Sequence, residues 1–340
     1  MKLFRYIFIG LLAAASCKKF DVPGPTSLQS SHNNLAKGAD PSWVTQMEAN
    51  GYKFYNTTGE QADLFQILKN QGINSIRLRV WVNPDGGWNG EQDVINKAKR
   101  ANSLGLKLLI DFHYSDSWAD PAQQVKPTAW QNATFAQLTD SVYYHTYNVL
   151  NDLKNNGIVP SWVQVGNETN DGMLWPDGQA SKSFTNYATL INAGYKAVKD
   201  INDSIKVIIH LANGDDNSLY RWMFDSLTAH NTNFDVIGMS LYPSTSSWQG
   251  QAVACDSNLL DMSSRYNKEV MLCEVGMGAS DSTNSRSFVS KMIDYVDNIP
   301  NKKGIGVFYW EPEAYGNWQN YLMGSFNEAG MPTIAMKAFY

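Results

Sequence analysis

Ser75-Ile76-Arg77-Leu78-Arg79-Val80-Trp81, an amphipathic stretch from Asp93 to Leu104, and then Lys107-Leu108-Leu109-Ile110-Asp111-Phe112-His113-Tyr114 spell out one strand, helix, strand unit. The apolar runs have strand length and the segment between them has helix length, an order that specifies parallel pairing through a helical crossover. The alternation continues in both directions. Further runs lie near Asn34 to Asp40, Trp162 to Glu168, Lys206 to Ala212, Phe234 to Tyr242, Glu269 to Gly276 and Gly304 to Glu311. Helix-like stretches separate them: Gln61 to Asn70, Phe135 to Asn155, Tyr187 to Ile201, Ser218 to His230 and Arg286 to Asn298. Eight repeats over about 300 residues predict a single closed (β/α)8 barrel, an α/β fold, and not an open doubly wound sheet. No low-complexity segment breaks the pattern.

Composition narrows the function. The chain has 340 residues, 43% hydrophobic and 12% aromatic, ample for one large core. A net charge of -5 without a clustered basic surface argues against nucleic acid as a partner and suits an uncharged substrate. The first residues read as an export address: Lys2 and Arg5, an apolar stretch from Ile7 to Ala15 too short to span a bilayer, then Ala14-Ala15-Ser16-Cys17. That pattern resembles a bacterial lipoprotein signal, with Cys17 the acylated mature N-terminus and a lipid anchor holding the chain to a membrane, outer-membrane or cell-surface in a Gram-negative host. Simple secretion or a periplasmic location is the alternative. Residues 1–17 are thus signal and lipidation site, 18–32 a Ser-, Pro-, Lys- and Asn-rich tether, and 33–340 the barrel.

In this fold active sites lie at the C-terminal ends of the strands. Polar and aromatic side chains gather there: Asp40, Arg79, Asp111, His113, Asn167, Glu168, Tyr242, Glu274, Trp310 and Glu311. Glu168 and Glu274 each close a buried apolar run, where a carboxylate is retained only if it is paired, hydrogen-bonded or used. Of the eleven tryptophans, Trp118, Trp175, Trp310 and Trp318 are candidates for a cleft in which indole faces meet sugar rings.

Three segments carry a specific resemblance: Asp111-Phe112-His113-Tyr114-Ser115-Asp116-Ser117-Trp118-Ala119-Asp120-Pro121, Gly166-Asn167-Glu168, and Gly306-Val307-Phe308-Tyr309-Trp310-Glu311-Pro312. From about Gly38 onward the chain resembles glycoside hydrolase family 53, the endo-β-1,4-galactanases. The resemblance implies a retaining (β/α)8 hydrolase with Glu168 on strand four as acid/base and Glu274 on strand seven as nucleophile. It also implies β-1,4-galactan as the partner, no cofactor, and a monomer.

The chemistry can be argued from the residues themselves. Retaining hydrolysis needs one ionised and one protonated carboxyl about 5–5.5 Å apart. Arg79 is expected to reach Glu274 and favour its ionised form, and the charge on Glu274 is expected to raise the pKa of Glu168. Tyr242 is a donor to Glu274, Asn167 a holder of the sugar 2-hydroxyl, His113 an aligning group and Trp310 the platform at the cleavage point. The run Tyr242-Pro243-Ser244-Thr245-Ser246-Ser247-Trp248 departs from the compact segment common in the family, which leaves distal sugar preferences open. The segment after Glu274, Gly276 to Asn284, is short, so no calcium loop and no metal is expected there. Strand alternation sets Cys273 opposite Glu274, facing the helices, as a buried free thiol. Two alternatives remain: a related glycanase for β-mannan or β-glucan, and a non-catalytic glycan-binding lipoprotein.

Overall fold

The alternating runs resolve into strands and helices as their periods require. The computed structural model describes residues 35–340; the export signal, Cys17 and the tether lie outside the described residues. Among the described residues ten strands occur in chain order: β1 (Ala36–Asp40), β2 (Ser75–Val80), β3 (Lys107–Phe112), β4 (Trp162–Val165), β5 (Gly172–Met173), β6 (Gly178–Gln179), β7 (Lys206–Leu211), β8 (Val236–Leu241), β9 (Glu269–Val275) and β10 (Gly304–Trp310). Among the described residues, β5 and β6 pair with each other and the other eight close into a parallel barrel, with β10 returning to β1. The outer ring is α1 (Val44–Ala49), α2 (Leu64–Asn70), α3 (Glu91–Ser103), α4 (Phe135–Asn155), α5 (Phe184–Ile201), α6 (Asn217–Ala229), α7 (Trp248–Tyr266) and α8 (Ser282–Asp297). Side-chain caps fix several starts: Asp63, Ser183, Asp216 and Asp281 cap α2, α5, α6 and α8, and a Thr134/Gln137 capping box opens α4.

The barrel interior has two tiers. Its base is apolar, a buried cluster of Ala36, Leu109, Trp162, Ile208, Val236, Met271, Cys273 and Phe308, distinct from the shell between strands and helices. Gly38 belongs to this level because a Cβ there would lie 2.1 Å from the Phe308 ring. Above it comes a charged tier: Asp40, Arg77, Asp111, Gln164 and His210, all buried and joined by hydrogen bonds. Strand parallelism delivers that tier to the mouth where the chain leaves each strand.

Strand β9 corrects one expectation. Val270, Leu272 and Val275 pack in the outer shell, whereas Met271 and Cys273 face the interior, and so does Glu274, which pairs with Arg77. Two consecutive residues therefore point inward. The ladder registers this as a bulge: Met239 opposes Leu272, but Ser240 opposes Glu274, and toward β10 the register slips between Val307 and Tyr309. A bulge inserts one residue and re-aims the side chains beyond it, which is how Glu274 reaches the site although Cys273 already faces inward. Cys273 thus faces the barrel interior and not the helices. Both Cys255 and Cys273 are free and buried, and burial pushes each thiol well up, which disfavours the thiolate.

Helix α4 brings an imidazole under the loop after β3. His145 sits against Phe112, Tyr114 and Trp130, with its Nε2 buried and unpartnered among the described residues. Burial pushes its pKa down to about 4. The unfolded chain takes up this proton below about 6.5 while the folded one resists it, so the contribution is full above that pH and is lost as pH falls toward about 4. For a half-buried ring the loss is on the order of 2 kcal/mol. His145→Phe is expected to narrow the gap in Tm between pH 7 and pH 4.5 by about a few degrees. An unchanged gap would remove this imidazole from the acid response.

Candidate active site

The Gly166-Asn167-Glu168 turn ends β4 in a conformation that few sequences tolerate. Gly166 has φ +90° and Glu168 φ +45°, and a Cβ on Gly166 would meet the Thr169 side chain at 2.6 Å. A non-glycine residue in the left-handed region costs free energy and persists where its surroundings over-determine it. The turn is held by Gln124 Nε2 donating to the Asn167 carbonyl (2.8 Å) and by Thr169 N donating to His210 O (2.9 Å). Glu168 is thereby aimed into a cavity of about 450 Å³ that it shares with Glu274, Asn167, His113, Tyr242, Trp43, Trp118, Trp310 and Tyr321.

Glu274 is placed by two contacts. Its Oε1 meets Arg77 Nη2 at 2.8 Å and its Oε2 accepts the Tyr242 hydroxyl at 2.6 Å. Burial, and then the charge of Glu274, hold the phenol of Tyr242 well above its usual range, so it remains a donor. The expected partner of the nucleophile was Arg79, and the structure corrects this. Arg77 and Arg79 share one face of β2, but Arg79 pairs with Glu311, just after β10, and the ion pair of Glu274 is with Arg77. Arg77, one rung deeper, is the hub: Nη1 to Asp40 (2.5 Å), Nη2 to Asp111 (2.9 Å) and Asn167 Oδ1 (2.9 Å), Nε to Gln164 (2.7 Å). Asp40 and Asp111 are thus buried supports beneath the cavity. Burial alone would raise Asp111, yet Arg77 and His113 outweigh it and hold its carboxyl below the usual range.

The surrounding shell fixes the tautomer of His113. His113 Nε2 meets Asp111 at 2.9 Å, and its Nδ1 accepts from Trp81 Nε1 and from Ala119 N, both at 3.2 Å. His210 is a member that the sequence alone does not mark. Burial and then the Arg77 charge hold it well below the usual range, so it is neutral. Its Nδ1 lies 3.0 Å from both Gln164 Nε2, a donor, and Asn167 Oδ1, an acceptor, and its Nε2 faces Ser240 Oγ at 2.7 Å. Asn167 lines the cavity, but its Oδ1 accepts from Arg77 and its Nδ2 donates to Ala119 O (2.8 Å), so both ends of the amide are already engaged.

The two glutamates are tuned apart. Burial, first, and the Glu274 charge, second, push Glu168 up to about 8. Burial raises Glu274 as well, but Arg77 and the Tyr242 hydroxyl pull it back. The anion therefore resides on Glu274 and the proton on Glu168, with burial contributing more than the partner charge expected to dominate.

Among the tryptophans, Trp118 and Trp310 line the cavity as expected. Trp318 does not: it is buried against Tyr52, and its neighbours Gln319 and Asn320 face the cavity in its place. Trp175 is not among the residues that line the cavity, and its Nε1 donates to Asp171 O at 2.9 Å. Trp43 and Tyr321, unassigned from sequence, do line it. Trp43 sits in the loop after β1 on a Trp-Val pair that any core would accept, so no local signal marks it. Among the described residues no cluster of three or more His, Cys, Asp or Glu is arranged to hold a metal ion.

Comparison with known proteins agrees with this geometry. The profile described as glycosyl hydrolase family 53 matches residues 36–331. An arabinogalactan endo-β-1,4-galactanase of Thermothelomyces thermophilus is 36% identical over 333 residues, covering 89% of this chain and 98% of the relative. An endo-β-1,4-galactanase of Bacillus subtilis (strain 168) is 33% identical, covering 83% and 70%. Among solved structures, one from a study of two fungal β-1,4-galactanases superposes with a TM-score of 0.83 at 32% identity over 90% of this chain and 99% of that one. The Ignisphaera aggregans GH53 catalytic domain gives the same TM-score and identity over 90% and 95%.

Proposed function

Since this chain belongs to glycosyl hydrolase family 53, we propose that it is a retaining endo-β-1,4-galactanase acting on the galactan side chains of pectin. The observation that carries the reading is the shared cavity in which Glu274 has a cation and a phenol hydroxyl on its two oxygens while Glu168 has only the Ser240 hydroxyl and no ion pair. Relatives named as galactanases, at about one-third identity over most of the chain, support the substrate.

In the first half-reaction a Glu274 oxygen bonds to the anomeric carbon as the glycosidic bond breaks, and the Glu168 proton goes to the leaving oxygen. Esterification removes the negative charge from Glu274. Glu168 then takes a proton from water, the water oxygen attacks the same carbon, and the ester is released. Product analysis on unbranched β-1,4-galactan tests the proposal. Short galacto-oligosaccharides with retained configuration support it. Release from β-mannan or β-glucan in place of galactan would reassign the polymer.

The pH profile should carry the tuning. In the free enzyme the alkaline limb of kcat/KM is expected near the pKa of Glu168, pushed up to about 8. Glu274→Gln removes the second largest of its causes and should lower the pKa of Glu168 without returning it to the ordinary carboxylate range, because burial stays. Direct titration of the Glu168 carboxyl by NMR reads this. A value unmoved by Glu274→Gln would show that the Glu274 charge is not a cause.

For location we propose a lipoprotein acylated at Cys17. Cys17→Ala should move the protein out of the membrane fraction. Full-length protein that partitions into the aqueous phase with an unmodified N-terminus would replace anchoring with secretion.

A further inference from the structure

Arg79, displaced from its expected role, occupies an unusual place. It and Glu311 are both fully buried and ion-paired through Nη1 and Oε1. Its remaining nitrogens, Nε and Nη2, are buried without a hydrogen-bond partner among the described residues. What surrounds them is aromatic: the guanidinium lies 4.6 Å from the ring centroid of Trp118 and 5.3 Å from those of Trp43 and Trp81. A flat cation can be accommodated by ring faces where water and acceptors are missing.

Glu311 reaches the same rings by another route. Its Oε2 accepts the backbone N–H of Trp43 at 3.1 Å, and its own N–H donates to Asp40 O at 2.8 Å. It has φ +46°, directly after Trp310. One ion pair therefore touches the face of Trp118, the face and backbone of Trp43, and the peptide that carries Trp310. These three indoles contact one another, with centroids 5.2 to 5.9 Å apart and planes inclined by 57° to 80°, and all three line the cavity that holds Glu168 and Glu274.

A buried ion pair is commonly no more stable than an apolar filling of the same volume, so its presence here calls for a purpose other than stability. We infer that Arg79 and Glu311 are positioning residues that lock Trp43, Trp118 and Trp310 into a bent aromatic wall, and that this wall selects a curved β-1,4-galactan chain over a flat, extended one. Neither residue touches the reacting atoms. The wall is angled because Trp118 meets both other rings edge to face and Trp43 is tilted against Trp310, and the guanidinium behind them holds those angles. The inference rests on the galactanase reading for the identity of the sugar.

The test measures Kd for β-1,4-galactotetraose by indole fluorescence in the inactive Glu274→Gln protein, with or without Arg79→Met, Arg79→Lys, Glu311→Gln, and Arg79→Met together with Glu311→Gln. Each is expected to weaken galactotetraose by about tenfold and to alter the near-ultraviolet circular dichroism of the indoles. Lysine should not rescue, because it keeps the charge and loses the flat face. The double variant should melt no lower than Arg79→Met alone, since it leaves no charge unpaired, and it supplies a folded protein if the single variant fails. Binding unchanged in the double variant, or full rescue by lysine, overturns the inference. A parent protein that binds cellotetraose or mannotetraose in place of galactotetraose, with a comparable loss in the variants, overturns the galactan reading and the preference for a curved chain, while the positioning role stands.

Discussion

Glu274→Ala is expected to lower kcat on galactan by on the order of 10⁴-fold or more, because the carboxylate that bonds to the anomeric carbon is removed. The fold should survive. Arg77 keeps Asp40 and Asp111 as partners when Glu274 is gone, and a carboxyl that burial disfavours is removed. Glu168→Ala should differ in kind: activated aryl galactosides need no acid and still glycosylate Glu274, after which the missing base stalls the second step. Azide can then attack in place of water and give a β-azide. Product stereochemistry decides the assignment. An α-azide, or azide rescue of Glu274→Ala with none of Glu168→Ala, would exchange the two roles.

The second large effect is expected at Arg77. Arg77→Met leaves Asp40, Asp111 and Glu274 buried around a vacated cation, all three within 2.9 Å of the guanidinium in the native protein. Breaking a buried pair by removing one side typically costs about 3–5 kcal/mol. For a chain of this size that corresponds to a fall in Tm of roughly 10 °C. The same loss acts on reactivity. Without the cation the protonated form of Glu274 is favoured, its pKa rises further, and the acidic limb of the kcat/KM profile should move to higher pH. Arg77→Lys should recover part of the stability, because its single ammonium cannot span the acceptors that the guanidinium fork reaches. A thermal melt and a pH profile on the same preparation check both effects. Native Tm with an unmoved limb would show that this arginine is not the hub.

Why Arg79 was the expected partner, and Arg77 the observed one, marks the limit of what the sequence reveals. Period-two alternation places both on the interior face and rightly excludes Leu78 and Val80, which pack in the outer shell. It does not give depth. Which rung of β2 lies level with Glu274 depends on the stagger of eight strands, and on a bulge in β9 that period-two reasoning cannot anticipate. Strand order, the barrel, and the convergence of Glu168 and Glu274 were legible because each rests on local periodicity and on a rule of the fold. His210 was not, since a lone histidine in Val207-Ile208-Ile209-His210-Leu211 looks like any core residue until Gln164 and Ser240 are seen on either side of it. Trp318 misled for the opposite reason: its place next to Gln319 and Asn320 was right, but its own indole turns inward to Tyr52.

The bulge in β9 makes strand length itself a heritable determinant of reactivity. Deleting Cys273 would remove more than a thiol: the ladder could close up, and the glutamate would inherit the inward slot beside Met271 and Phe308, a rung too deep among apolar side chains. A one-residue slip of this kind inactivates without altering any catalytic letter. Residue count in this strand therefore matters more than residue identity, and point substitutions at Cys273 to other small side chains should be tolerated where a deletion is not.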